Sequence, residues 1–142
     1  MKLDRILVAV DGSDNSLAAA GWAGALGATV GAEVVAVHAL GLLERLGPGE
    51  DKVPAQAHRG EIEALLAEEW SAPLAAAGAQ HRCVLRDGTP VQVVLDVAEE
   101  EGVDLIVLGS RGLGAYPEQL LGSTSTQVAQ HSSRPVTIVP HG

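Results

Sequence analysis

Asp104-Leu-Ile-Val-Leu108-Gly109-Ser-Arg-Gly112-Leu-Gly114-Ala-Tyr-Pro-Glu-Gln-Leu-Leu-Gly122-Ser123 runs from an apolar segment, through a glycine-rich loop, to the start of a segment with helical character at Ser123–Gln130. Leu105–Leu108 reads as a buried strand. A strand that empties into such a loop and re-enters at a helix N-terminus can hold an anion. Glycine lets the backbone approach closely, and unpaired N–H groups of the first helical turn, with the helix dipole behind them, face the guest. The hydroxyls of Ser123, Thr124 and Ser125 serve either a phosphate or the helix cap. The chain contains no G-x-x-x-x-G-K-[ST], and a G-x-G-x-x-G would follow the first strand, so neither common phosphate loop is present.

Outward from this stretch, apolar runs alternate with helical patterns. Ile6–Val10 is a continuous β-branched run, followed by the turn cluster Asp11-Gly-Ser-Asp-Asn-Ser16 and a small-residue helix expected over Leu17–Ala28. Glu33–His38 is a second strand. The segment from Gly41 to about Gly60 is irregular. A helix is expected over Glu61–Ala77, kinked or restarted at Pro73. His81–Arg86 reads as an edge strand because polar residues interrupt it. Thr89 and Pro90 mark a helix start, and Val91, Val94, Leu95 and Ala98 give that helix one apolar stripe. Asp104–Leu108, Ser123–His131 and Pro135–Val139 complete the alternation. A single α/β domain over residues 1–142 follows: a doubly wound, five-stranded parallel sheet with helices on both faces. Ligands of such sheets bind beyond the strand C-terminal ends, where the order reverses. Asp11 and Gly109 sit at two of those ends.

Bulk properties narrow the partners. With 142 residues, 46% of them apolar, the chain can bury a core. Its formal charge of −9 disfavours nucleic acid and anionic membranes, and Trp22, Trp70 and Tyr116, with no Phe, leave little for base stacking. Cys83 is the single cysteine and reads as packing. The N-terminal Met-Lys-Leu-Asp-Arg carries no signal-peptide pattern, and no apolar run reaches spanning length, which points to the cytoplasm. The histidines show no metal-ligand spacing.

The runs Asp104–Gly112, Gly122-Ser123 and Ser133-Arg-Pro-Val-Thr-Ile-Val139 resemble the universal stress protein family. Ile6-Leu-Val-Ala-Val-Asp11-Gly-Ser13, the strand bearing His38 and Asp87-Gly-Thr-Pro90 match it too, so the resemblance covers essentially the whole chain. The spacing G-x-x-G-x(9)-G-[ST], met at Gly109, Gly112, Gly122 and Ser123, resembles the ATP-binding variant of that family. This resemblance implies a strand order of 3-2-1-4-5, ATP between the ends of strands one and four, Mg²⁺ with the nucleotide, and a homodimer through the last strand, Val136–Val139. It also implies that Gly109, Gly112, Gly122, Ser123 and Thr124 line the ribose and phosphates, with a hydroxyl from Ser125. Asp11 would reach the ribose or adenine edge, and the backbone at Val37–His38 would read the adenine.

Some alternatives stay open at this level. Asp11 is a ligand contact or a helix cap; the ligand role is favoured because Ser13, Asp14 and Asn15 can also cap. The His38 ring is a site group or a packed imidazole, the latter favoured. Arg111 is a phosphate partner or a solvated loop residue. Pro117 and Glu118 leave ATP, ADP and AMP open as the nucleotide. The function implied is an ATP-binding stress-response regulator with at most slow hydrolysis, since the loop has no lysine and no evident base. An adenylating enzyme would want S-G-G-x-D-S where Asp11–Ser16 stands, and a dimeric interaction module would bind no nucleotide.

Overall fold

Apolar runs too short for a helix and rich in Val and Ile become strands, and the small-residue and striped segments between them become the crossover helices. The structure, a computed structural model, describes residues 1–41, 43–44, 53–111 and 121–140. Its elements are β1 (Arg5–Ala9), α1 (Asp14–Val30), β2 (Glu33–Leu40), β3 (Leu43–Glu44), β4 (Val53–Pro54), a 3₁₀ turn (Ala55–His58), α2 (Arg59–Leu65), a π turn (Leu66–Trp70) and α3 (Ala72–Ala76). They continue as β5 (His81–Asp87), α4 (Pro90–Glu101), β6 (Leu105–Gly109), α5 (Ser123–His131) and β7 (Val136–Val139).

Five strands form one sheet in the order β5-β2-β1-β6-β7, every pairing parallel. The antiparallel β3–β4 ribbon stands apart, within the connection expected to be irregular. Counted without that ribbon, the order is the 3-2-1-4-5 implied by the resemblance. The polar strand β5 lies at one edge and β7 at the other.

Alternate residues of each strand feed opposite cores. Ile6, Val8, Val34, Ala36 and Val107 pack beneath α1 and α3; Leu7, Val35, Val37, Ile106 and Leu108 pack beneath α4 and α5. Helix α1 approaches its neighbours closely because a side chain at Gly24 would meet Ala77 and Leu74, and one at Gly27 would meet Val34. Five residues cannot hold a helix by themselves. The fully buried Leu74 anchors α3 instead, with a burial term of about 1.5–3 kcal/mol.

Several boundaries differ from expectation. Helix α1 starts at Asp14, three residues early, because Ser13 takes the N-cap and accepts from Ser16 N at 3.1 Å. The long helix expected over Glu61–Ala77 is divided by the π turn, and Pro73 falls in the first turn of α3, where its missing N–H costs nothing. Strand β2 runs to Leu40, two residues past His38. Thr89 holds the N-cap position of α4 by backbone conformation, φ −77° and ψ 149°, without a side-chain capping bond among the described residues.

Candidate functional site

The order of the strands reverses between β1 and β6, which are direct neighbours, so the segments leaving their C-terminal ends flank one crevice.

The β1 side is a tight turn. Asp11 Oδ1 accepts from Ser13 N at 2.9 Å and from Ser13 Oγ at 2.6 Å. Ser16 Oγ donates to Ser13 O at 3.1 Å and accepts from Asp11 N at 3.2 Å. Asp11 thus supports the cap through Ser13 while it stands half-buried at the crevice mouth. Gly12 lies between them at φ +84°, a conformation that disfavours a side chain. The indole of Trp70 lies directly over Gly12.

The β6 side is a pinched neck. Gly122 N donates to Ser110 O at 2.6 Å, and Ser125 Oγ donates to Gly109 O at 2.6 Å. The limb leaving the sheet and the limb entering α5 are therefore fastened together. Gly112, the second glycine of the motif, lies outside the described residues. Gly122 is the N-cap of α5 in an ordinary extended conformation, φ −73° and ψ 168°. Its carbonyl accepts from Thr126 N at 3.1 Å, the first intrahelical bond. The N–H groups of Ser123, Thr124 and Ser125 precede that bond and point out of the helix end. Because α5 connects two parallel strands, this end lies at the crevice. Helix geometry thus brings together three donors of one sign, with the positive end of the dipole behind them.

Two of the expected positions carry bonds within the protein. Arg111 N donates to Asn15 Oδ1 at 2.5 Å, so this amide faces α1 rather than the crevice. The Ser125 hydroxyl donates its proton to Gly109 O.

Val37 and His38 are not at the end of β2. Val37 O accepts from Val10 N at 2.9 Å, and His38 is paired in register with Leu85. The His38 ring is buried, donates from Nδ1 to Val10 O at 2.7 Å and packs edge-on against Trp70, with ring centroids 4.9 Å apart. Backbone groups alternate sides along a strand. Val37 O faces β1, and Leu40 O faces β5 and accepts from Gly88 N at 3.0 Å. Ala39 therefore presents its N–H and C=O on the β1 side, beyond the last residue of β1.

Sequence reasoning missed the run of β2 through Ala39, the indole cover from Trp70, and the partners of Asn15. Asn15 is 4% exposed and bonded to the loop on the far side of the crevice. It stood among interchangeable cap candidates, and no local pattern separates a cap from a long-range anchor.

Shifted protonation is found mainly at the opposite end of the sheet. Asp104 accepts from Asp4 N at 2.8 Å and Arg5 N at 3.1 Å, which hold its carboxyl below the usual range. The ion pair of Arg82 with Glu101 raises the former and lowers the latter. Burial pushes the Cys83 thiol up, which suits a packed residue rather than a nucleophile. Among the described residues, no helix is long and apolar enough to cross a membrane.

The model of the family described as the universal stress protein family matches residues 2–140. Universal stress protein YxiE of Bacillus subtilis is 32% identical, the alignment covering 96% of this chain and 98% of its own. A universal stress protein of Thermus aquaticus is 35% identical, over 94% and 96%. The crystal structure of a universal stress protein in complex with cAMP superposes with a TM-score of 0.75 at 31% identity, covering 99% of this chain and 98% of the other. Universal stress protein UspA from Lactobacillus plantarum shares the fold, with a TM-score of 0.80 at 21% identity over 98% and 99%.

Proposed function

This chain belongs to the universal stress protein family, and from that we propose that the crevice between the ends of β1 and β6 binds an adenine nucleotide, ATP with its Mg²⁺, in a cytoplasmic stress-response regulator. The observation that carries the reading is the neck at Ser110–Gly122, which sets the α5 N-terminus beside the switch point. A similar protein has been crystallised with cAMP, another adenine nucleotide, which supports the ligand class.

In this reading the N–H groups of Ser123, Thr124 and Ser125 take the phosphates, with Gly112 and Gly122 allowing close approach, Gly109 seating the loop limb against Asn15, and Arg111 lending a cation. Asp11 stands toward the ribose. Ala39, rather than Val37 or His38, offers main-chain groups to the adenine. The cradle fits a polyphosphate by its donor set, and the Mg²⁺ is held chiefly by the phosphate oxygens. Without a lysine in the loop, charge stabilisation at the γ-phosphate is weak, and hydrolysis is slow at most. Two copies pair through β7, an edge strand whose four residues are all half-buried and β-branched, since an uncovered edge of this kind invites association.

Thermal unfolding with and without Mg-ATP tests the reading. A nucleotide at a hundred times its Kd adds about 2.7 kcal/mol. An unmoved transition in the wild type would overturn the proposal. Ser123→Pro sharpens the test, because proline is tolerated at the first helical position and lacks the N–H. A hydrogen bond to a charged group contributes about 1.5–3 kcal/mol, so the variant is expected to bind ATP roughly tenfold to a hundredfold more weakly with its fold intact. Ser123→Ala, which keeps the N–H, is expected to bind nearly as the wild type.

A further inference from the structure

Asn15 lies in the first turn of α1 and is 4% exposed, a position where helix formation asks nothing of an asparagine side chain. Its amide reaches two segments far away in sequence. Oδ1 accepts from Arg111 N at 2.5 Å and from Ser110 Oγ at 3.1 Å, and Nδ2 donates to Val139 O at 3.3 Å. Val139 O also accepts from Ser110 N at 2.9 Å. Around this side chain the backbone is fitted closely. A Cβ on Gly109 would stand 3.0 Å from both Asn15 Cγ and Asn15 O. One buried amide thus joins the first turn of α1, the limb on which the loop leaves β6, and the last residue of β7.

We propose that Asn15 is the positioning residue of the nucleotide loop, fixing the direction in which residues 109–111 leave the sheet and tying that direction to the end of β7. By capturing the Arg111 N–H it turns the outgoing limb toward α1. By bonding Ser110 it holds the residue whose carbonyl closes the neck with Gly122. Ser110 and Gly122 are then aligned before a ligand arrives, so the donors at the head of α5 need no ordering on binding. Asn15 itself acts through these contacts. Its consequence for affinity rests on the nucleotide reading above, whereas its control of the loop limb does not.

The test compares Asn15→Ala with Val34→Ala, a core truncation at the opposite end of β2 that lowers stability without touching the crevice. Both are measured for unfolding midpoint, Mg-ATP affinity and backbone amide hydrogen exchange. Asn15→Ala is expected to weaken ATP binding at least tenfold and to speed exchange at Arg111 at least tenfold. Val34→Ala is expected to stay within twofold of the wild type in both, for a similar fall in midpoint. Equal losses in the two variants, or an Asn15→Ala protein that binds as the wild type, would overturn the proposal. Should the wild type bind no ATP, the nucleotide reading fails separately. Asn15 is then judged on exchange alone, where unchanged protection of Arg111 counts against it and lost protection supports it. Asn15→Ser, too short to span these distances, takes the place of the alanine variant if that one does not fold.

Discussion

Gly109→Ala is expected to lower stability by about 1–3 kcal/mol, the usual range for forcing extra volume into a packed site. The reason lies across the sheet rather than in the loop. The new methyl would sit 3.0 Å from Asn15 Cγ and O and 3.1 Å from the Asn15 carbonyl carbon. Two of those atoms belong to the backbone of α1, which cannot swing aside as a side chain can. Either α1 lifts from the sheet or β6 shifts, and both movements disturb the bonds from Ser110 and Arg111 to Asn15. Urea unfolding of the two proteins checks this. A change within about 0.5 kcal/mol, as at an ordinary surface position, would show that the helix and strand have slack.

Gly12→Ala is the second large effect. Its φ of +84° is costly for any residue with a side chain, and the methyl would fall 2.8 Å from Trp70 Nε1 and 2.9 Å from Cε2. Backbone strain of this kind amounts to about 1–3 kcal/mol. The indole must also leave its seat, and with it the edge-on contact to His38. Trp22 is exposed, so a Trp22→Phe background makes Trp70 the sole indole reporter. In that background Gly12→Ala is expected to shift Trp70 emission to the red and lower the unfolding midpoint. Unchanged emission and midpoint together would mean that the ring does not hold the β1–α1 turn.

These two glycines show what the sequence could and could not tell. Strands were legible because Ile6–Val8 and Ile106–Leu108 are apolar runs buried on both faces, where composition and position coincide. The order of the strands came from resemblance, since no local pattern encodes which strand lies beside which. The spacing from Gly109 to Gly122 pointed to the end of β6. It left the reason for Gly109 unread: close contact with Asn15, a residue 94 positions earlier. The same limit hid the partners of Asn15. The end of β2 was misplaced because Ala39 and Leu40 carry no strand signal of their own and are held by pairing with Arg86 and Asp87. The π turn escaped because Ile62, Leu65, Leu66 and Trp70 satisfy an uninterrupted helical stripe on paper, while packing over Gly12 and His38 is what Trp70 actually meets.

In the proposed complex, backbone donors at the head of α5, with Ala39 across the crevice, receive an adenine nucleotide on an otherwise acidic protein. Amide resonances of isotope-labelled protein, followed one by one as Mg-ATP is added, test it most directly. The largest saturable shifts are expected at Ser123, Thr124, Ser125 and Ala39, with Val34 and Leu105 at the far end of the sheet unmoved. Saturation with those four amides still, or with the shifts gathered at the far end, would contradict it.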